Sequence, residues 1–202
     1  MSALTQRSMR KIYFDTNQMY YIRRIADEDE GSDYGSYEWA YCAFPNSPNL
    51  VQDIRALCYI FALWHEWDMY SVPSDASFAE LSLRNDERAR ATQSVWRLFV
   101  EWAKDGQVLH EDAFLRETSI CDLCNLDFID DPDDREIIRD VARKGVDVLL
   151  TSDNDILIHK NQLAELGVTV MRPSEWLNTF LDIRGDEDAV DWLERVLFGV
   201  GS

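Results

Sequence analysis

No stretch of this sequence approaches the roughly 18 consecutive apolar residues that a membrane-spanning helix requires, so no membrane partner is expected. The first ten residues, MSALTQRSMR, lack the apolar run and small-residue cleavage site of a secretory signal. They read as a flexible N-terminal arm, 1–10, and the expected location is the cytoplasm. Cysteine is scarce. Cys42, Cys58, Cys121 and Cys124 are the four present, and a cytosolic chain keeps such thiols reduced. Cys121 and Cys124 form a C-x-x-C, half of a zinc site, but Cys42, Cys58, His110 and His159 offer no second pair at ligand spacing. Buried thiols are the expectation. Repeats with periods of about 20–50 residues are absent, which excludes a solenoid or propeller. Basic residues are also in short supply, 20 against 38 acidic ones, for a net charge of −18 and a pI near 4.4. Bulk electrostatic binding of nucleic acid leaves a basic footprint, and this chain has none overall. A site where metal ions supply the positive charge stays open.

What the sequence does contain is enough apolar material for one ordinary core: 46% hydrophobic and 12% aromatic over 202 residues. Lys11–Phe14 is an apolar run ending at Asp15, which predicts a buried strand, with a first helix over 19–25. The acidic, aromatic, Gly/Ser/Pro-bearing stretch 27–49 reads as a long loop or insertion. Residues 50–67 show helical spacing, 68–72 read as a second strand, and 77–83 and 87–104 as helices. A short strand at 108–109 and a short helix at 112–118 follow. Asp131 before Pro132 marks a strong helix start, and that helix is predicted to stop at Gly145. Strand 146–151, helix 156–166, strand 168–171 and a helix from Pro173 to Phe180 then alternate as βαβ units do. The predicted fold is a three-layer α/β/α domain with a central parallel sheet of four or five strands over 11–180. A C-terminal helix within 181–202 is expected to pack on the same domain.

In open parallel sheets, ligands bind beyond the carboxyl ends of the strands where the strand order reverses. Asp15 ends the first strand and Asp153 lies just past the strand closing at Thr151. If those strands are neighbours, the two carboxylates converge, and a hard divalent cation relieves their repulsion. Each acid also has a plainer reading. Asp15 with Thr16 and Asn17 suits a turn, and Asp134 suits the first turn of a helix. Glu80 suits a solvated helix face, and Asp153 and Asp155 suit helix caps.

Taken in order, these acids resemble the pattern of the PIN-domain family. The carriers are Ile12-Tyr-Phe-Asp15-Thr-Asn17, Phe78-Ala-Glu80-Leu81, Asp134-Arg-Glu-Ile137, Val148-Leu-Leu-Thr151-Ser-Asp153 and the tail from Gly167 to Leu177. The resemblance covers about residues 11–180, and the stretch 27–49 has no counterpart in it. It implies a Mg²⁺- or Mn²⁺-dependent endoribonuclease, with one or two ions held by Asp15, Glu80, Asp134 and Asp153. Asp155 would be an outer ligand or a support for one, and Thr16, Asn17 and Ser152 would orient a water or a carboxylate.

For the substrate, Arg135, Arg139 and Arg143 make one stripe at helical spacing, and Arg84, Arg88 and Arg90 make a second patch. Both suit either phosphates or the interleaved acids Glu136, Asp140, Asp86 and Glu87. Aromatics between Tyr34 and Tyr41 either stack unpaired bases or pack the insertion. The expected partners are RNA, a protein inhibitor or antitoxin if the chain is a toxin-type member, and a second copy in a homodimer. The rivals are a non-catalytic PIN-like scaffold for RNA or protein and a DNA nuclease of the same mechanism. A haloacid-dehalogenase-type phosphatase needs a second Asp two residues after the first, where this chain has Asn17.

Overall fold

Lys11-Ile-Tyr-Phe14 is buried at all four positions, as a strand covered on both faces requires. In the computed structural model it forms β1 (Lys11–Phe14), the start of an all-parallel sheet with β2 (Tyr70–Val72), β3 (Val148–Leu150) and β4 (Val170–Met171). The strand order is β2-β1-β3-β4. The structure describes residues 11–27, 37–62, 69–72, 126–183 and 188–198, with 76, 78–79, 86, 89–90, 92–98 and 100–101. Glu80, Arg84, Arg88, Cys121, Cys124, the arm 1–10 and the elements expected at 108–118 lie outside these residues, as do parts of the stretches 27–49, 77–83 and 87–104.

Helices α1 (Thr16–Asp27), α2 (Trp39–Ala43) and α3 (Pro48–Ala62) separate β1 from β2. Helix α4 (Pro132–Lys144) leads into β3, and α5 (Asn154–Leu157) and α6 (Lys160–Glu165) join β3 to β4. Helices α7 (Pro173–Phe180) and α8 (Ala189–Phe198) close the chain's described part. The path runs from β1 outward to β2, then back across β1 to β3 and on to β4. With crossovers of constant hand, that reversal puts α1 and α3 on one face and α4, α5 and α6 on the other, and α7 and α8 return to the face of α1 and α3.

Alternate side chains serve the two faces. Ile12, Phe14, Val148 and Leu150 pack with α1, α3, α7 and α8, around the fully buried Trp176. Tyr13 and Leu149 face the opposite way with Val170, against Ile137, Ile138 and Val141 of α4 and Ile156 and Leu163 beyond β3. This is the expected three-layer α/β/α arrangement with four strands among the described residues. No described helix is long and apolar enough to cross a membrane.

Several local expectations shift. Helix α1 begins at Thr16, directly after Asp15, rather than at residue 19. The stretch 27–49 is not all loop, because α2 lies within it and Trp39 and Phe44 pack edge-on against each other and beside Tyr21. The single helix foreseen over 156–166 is two, parted at Ile158 and His159. Cys58 is buried as expected, but Cys42 is exposed, since α2 lies on the surface with only Ala40 turned inward. The start and stop of α4 fall as foreseen. Asp131 accepts a hydrogen bond from the Asp133 N–H at 2.8 Å, Pro132 opens the first turn, and Gly145 ends it at φ 56°.

Candidate metal centre

The order β2-β1-β3-β4 reverses direction between β1 and β3, so the ends of these two strands flank the switch point. Their ladder runs one step beyond the strands: the Asp15 N–H donates to the Leu150 carbonyl at 3.2 Å. Asp15 and Thr151 therefore sit side by side. The Thr151 hydroxyl donates to Asp15 Oδ2 at 2.8 Å and accepts from the Asp153 N–H at 2.9 Å. One buried hydroxyl thus fixes the Asp15 carboxylate and the backbone that carries Asp153. Asp153 also caps α5, with its Oδ1 accepting from the Asp155 N–H at 2.8 Å. That cap takes one carboxylate oxygen, and no described donor bonds Oδ2.

Helix α4 brings in the third acid. Asp134 stands in its first turn, half-buried, and its carboxylate accepts no hydrogen bond from any described residue. Burial, then the charges of Asp153, Asp131, Asp15 and Asp155, push its pKa up to about 7. An acid present only to complement the helix dipole would be held down rather than raised. The dipole reading therefore does not account for Asp134. Asp15, Asp134 and Asp153 come together electrostatically, with Asp155 exposed at the edge. Among the described residues no three Asp, Glu, His or Cys side chains already form a closed group about one point. The donor set is nonetheless all carboxylate oxygen and short of counter-charge, which is the chemistry that suits Mg²⁺ or Mn²⁺ rather than a soft ion.

The supporting residues divide. Asn17 lines a cleft beside Asp153. Thr16 opens α1. Ser152 faces away from Asp15: its hydroxyl donates to Asp53 Oδ2 at 2.8 Å and accepts from Gln18 Nε2 at 2.9 Å. Asp53 is a residue that the sequence reading passed over. It is 0% exposed and also receives Arg172 Nη1 at 2.9 Å and the Ser174 hydroxyl at 2.7 Å. Asp53 thereby ties α3 to the end of β3 and the start of α7. The available signal was its spacing, since Asp53, Leu57 and Ile60 share one helix face. Thr151 was legible only as part of a motif, not as the hydroxyl that holds Asp15.

The arginine stripe on α4 is spoken for. Arg135 donates to the Ile129 and Asp130 carbonyls, at 2.5 and 3.4 Å. Arg139 and Arg143 pair with Glu136, at 3.4 and 2.5 Å. This matches the plainer reading, a salt-bridged face. Two described aromatics of the 34–41 stretch pack as well: Trp39 lies under the Arg24 guanidinium at 4.1 Å, and Tyr37 donates to Glu194 at 2.6 Å, while Tyr41 is exposed.

No family model, curated protein or solved structure matches this chain.

Proposed function

We propose that the chain is a PIN-like nuclease that hydrolyses phosphodiester bonds in RNA with a divalent metal. The observation that carries this reading is the trio at the sheet's switch point, with Asp134 raised toward neutrality and lacking any described donor. Asp15, Asp134 and Asp153 would hold the ion, with Glu80 as the fourth ligand that the family resemblance implies. A bound Mg²⁺ or Mn²⁺ would supply charge neutralisation and a water acidified enough to attack phosphorus.

The chain's own residues do the rest. Thr151 aims the Asp15 carboxylate by donating to it. Asp153 keeps one oxygen in the cap and presents the other. Asp134 accepts whatever positive charge enters, and without one it holds a proton near neutral pH. The fold's acidity bars bulk attraction of the substrate, so affinity comes from this centre and its immediate rim.

The test is cleavage of labelled single-stranded RNA in Mg²⁺, Mn²⁺ or EDTA, comparing the wild type with Asp15→Asn and Asp153→Asn. Metal-dependent cutting lost in both variants is the expected result. Cutting that persists in either one sinks the assignment. The rival reading is a PIN-like scaffold without chemistry. It predicts no Mn²⁺ binding by calorimetry, whereas the nuclease reading predicts binding that Asp134→Asn weakens.

A further inference from the structure

Two clefts meet at Asp155, and they differ in kind. One, of about 460 Å³, is walled by Asp130, Asp131, Pro132, Asp155, Ile158 and His159. Its described lining holds three acids and no Lys or Arg, which leaves a phosphate nothing cationic to meet. The other, of about 540 Å³, draws its wall from α1, from residues 46–50, from the end of β3 and from Arg172, with the carboxylates of Asp153 and Asp155 on its rim. Four of its side chains are amides: Asn17, Asn46, Asn49 and Asn154.

The amides of Asn46 and Asn49 are exposed and make no hydrogen bond to a described residue. Each offers a donor and an acceptor from one planar group, the pattern that reads a nucleobase edge. Arg172 is the cleft's one cation among the described residues. Its Nη1 donates to the buried Asp53 and its Nη2 to Asn154 at 2.6 Å. Those bonds use two of the five guanidinium hydrogens and hold the group in place, leaving others for a phosphate oxygen. The size falls within the range of ordinary small-ligand pockets.

We propose that this cleft holds one unpaired nucleotide of the substrate strand, its base read by Asn46 and Asn49 and its phosphate met by Arg172. The proposal deepens the nuclease reading and rests on it for the identity of the ligand as part of a strand. It assigns a role to Asn46 and Asn49, at the end of the stretch that the family pattern leaves without a counterpart. It also makes the centre one-sided: the anchored nucleotide lies on the Asp153 side, and the acidic cleft lets the other product leave. With a single cation contributing, affinity should fall less than about threefold between roughly 50 and 200 mM salt.

The experiment measures binding separately from cutting. A fluorescein-labelled single-stranded tetraribonucleotide is titrated with the full chain in EDTA and in Ca²⁺, and cleavage of a longer RNA is followed in Mn²⁺. The variants are Asn46→Ala/Asn49→Ala and, in the acidic cleft, His159→Ala. The asparagine pair should weaken tetranucleotide binding about tenfold, as expected for two lost neutral hydrogen bonds, and raise KM with kcat unchanged. His159→Ala should change neither. Binding by the wild type that the asparagine variant loses upholds the cleft, even if no RNA is cut and the nuclease reading fails. Metal-dependent cutting with equal binding and KM in the asparagine variant overturns the cleft and leaves the nuclease standing. A wild type that binds no tetranucleotide in either buffer overturns it too. Circular dichroism of both variants separates loss of contact from loss of fold.

Discussion

Asp134 is a carboxylate whose surroundings favour the proton. Its folded pKa, about 7, lies above the ordinary carboxylate value because burial and four neighbouring acids oppose its charge. A raised pKa means that the folded chain binds this proton more tightly than the unfolded chain does. Stability from this group is therefore full below about pH 4, where both states are protonated, and is lost as pH rises through about 7. At pH 8 without metal, Asp134→Asn should be more stable than the wild type. The gain should be about 1–3 kcal/mol once the water-facing half of the group is discounted, or several degrees in Tm. At pH 4 the difference should vanish. Added Mn²⁺ should raise the Tm of the wild type and leave the variant's nearly unchanged. Thermal scans at both pH values check this, and a variant less stable than the wild type at pH 8 contradicts it.

Helix α4 shows which parts of the site were legible in the sequence. Asp131, Pro132 and Gly145 announce its ends because capping and left-handed backbone are local chemistry, set by neighbouring residues. The strand ends at Asp15 and Thr151 were legible for the same reason: an apolar run stops at a polar residue. The Asp53 knot was not. It joins residues 99 to 121 positions apart, and nothing in the local pattern of α3 says that Ser152, Arg172 and Ser174 will meet one buried acid. The break in the helix after Asp153 was hidden too, because its apolar spacing runs on through Ile158, a residue 72% exposed. The cap of α4 can be separated from its charge. Asp131→Asn keeps a good capping side chain and removes one of the charges pressing on Asp134, whereas Asp131→Ala loses both. Metal-free denaturant unfolding at pH 8 should place Asn at or above the wild type and Ala below Asn by about 1 kcal/mol. Equal stability of the two variants would mean that the cap bond at 2.8 Å contributes nothing.

Across the whole molecule two acids set opposite limits on pH. Helix α8 is held by Glu194, which accepts from Tyr37 at 2.6 Å and from Tyr59 and Arg55 at 3.1 Å each. Burial works to raise the Glu194 pKa, but these three donors outweigh it and the net shift is downward. Its stabilising contribution is present above its unfolded value of about 4.5 and is lost as pH falls through the lower folded pKa. Asp134 favours acid and Glu194 opposes it, so metal-free stability should peak on the acid side of neutrality. Glu194→Gln should steepen neither arm near pH 7 but should flatten the loss below pH 4. A Tm profile from pH 3 to 9 checks both, and a maximum above pH 8 contradicts the Asp134 argument.

The sheet order also sets a timetable. Asp15 emerges from the ribosome well before the hydroxyl that holds it, which belongs to a residue 136 positions later. Until β3 is made and slides in beside β1, that edge of β1 is open and Asp15 has neither Thr151 nor Asp153 at its side. A nascent chain made only as far as α4 therefore carries Asp15 and Asp134 without the centre. Whatever chemistry the three acids support begins only after Thr151 and Asp153 have been made and β3 has paired with β1.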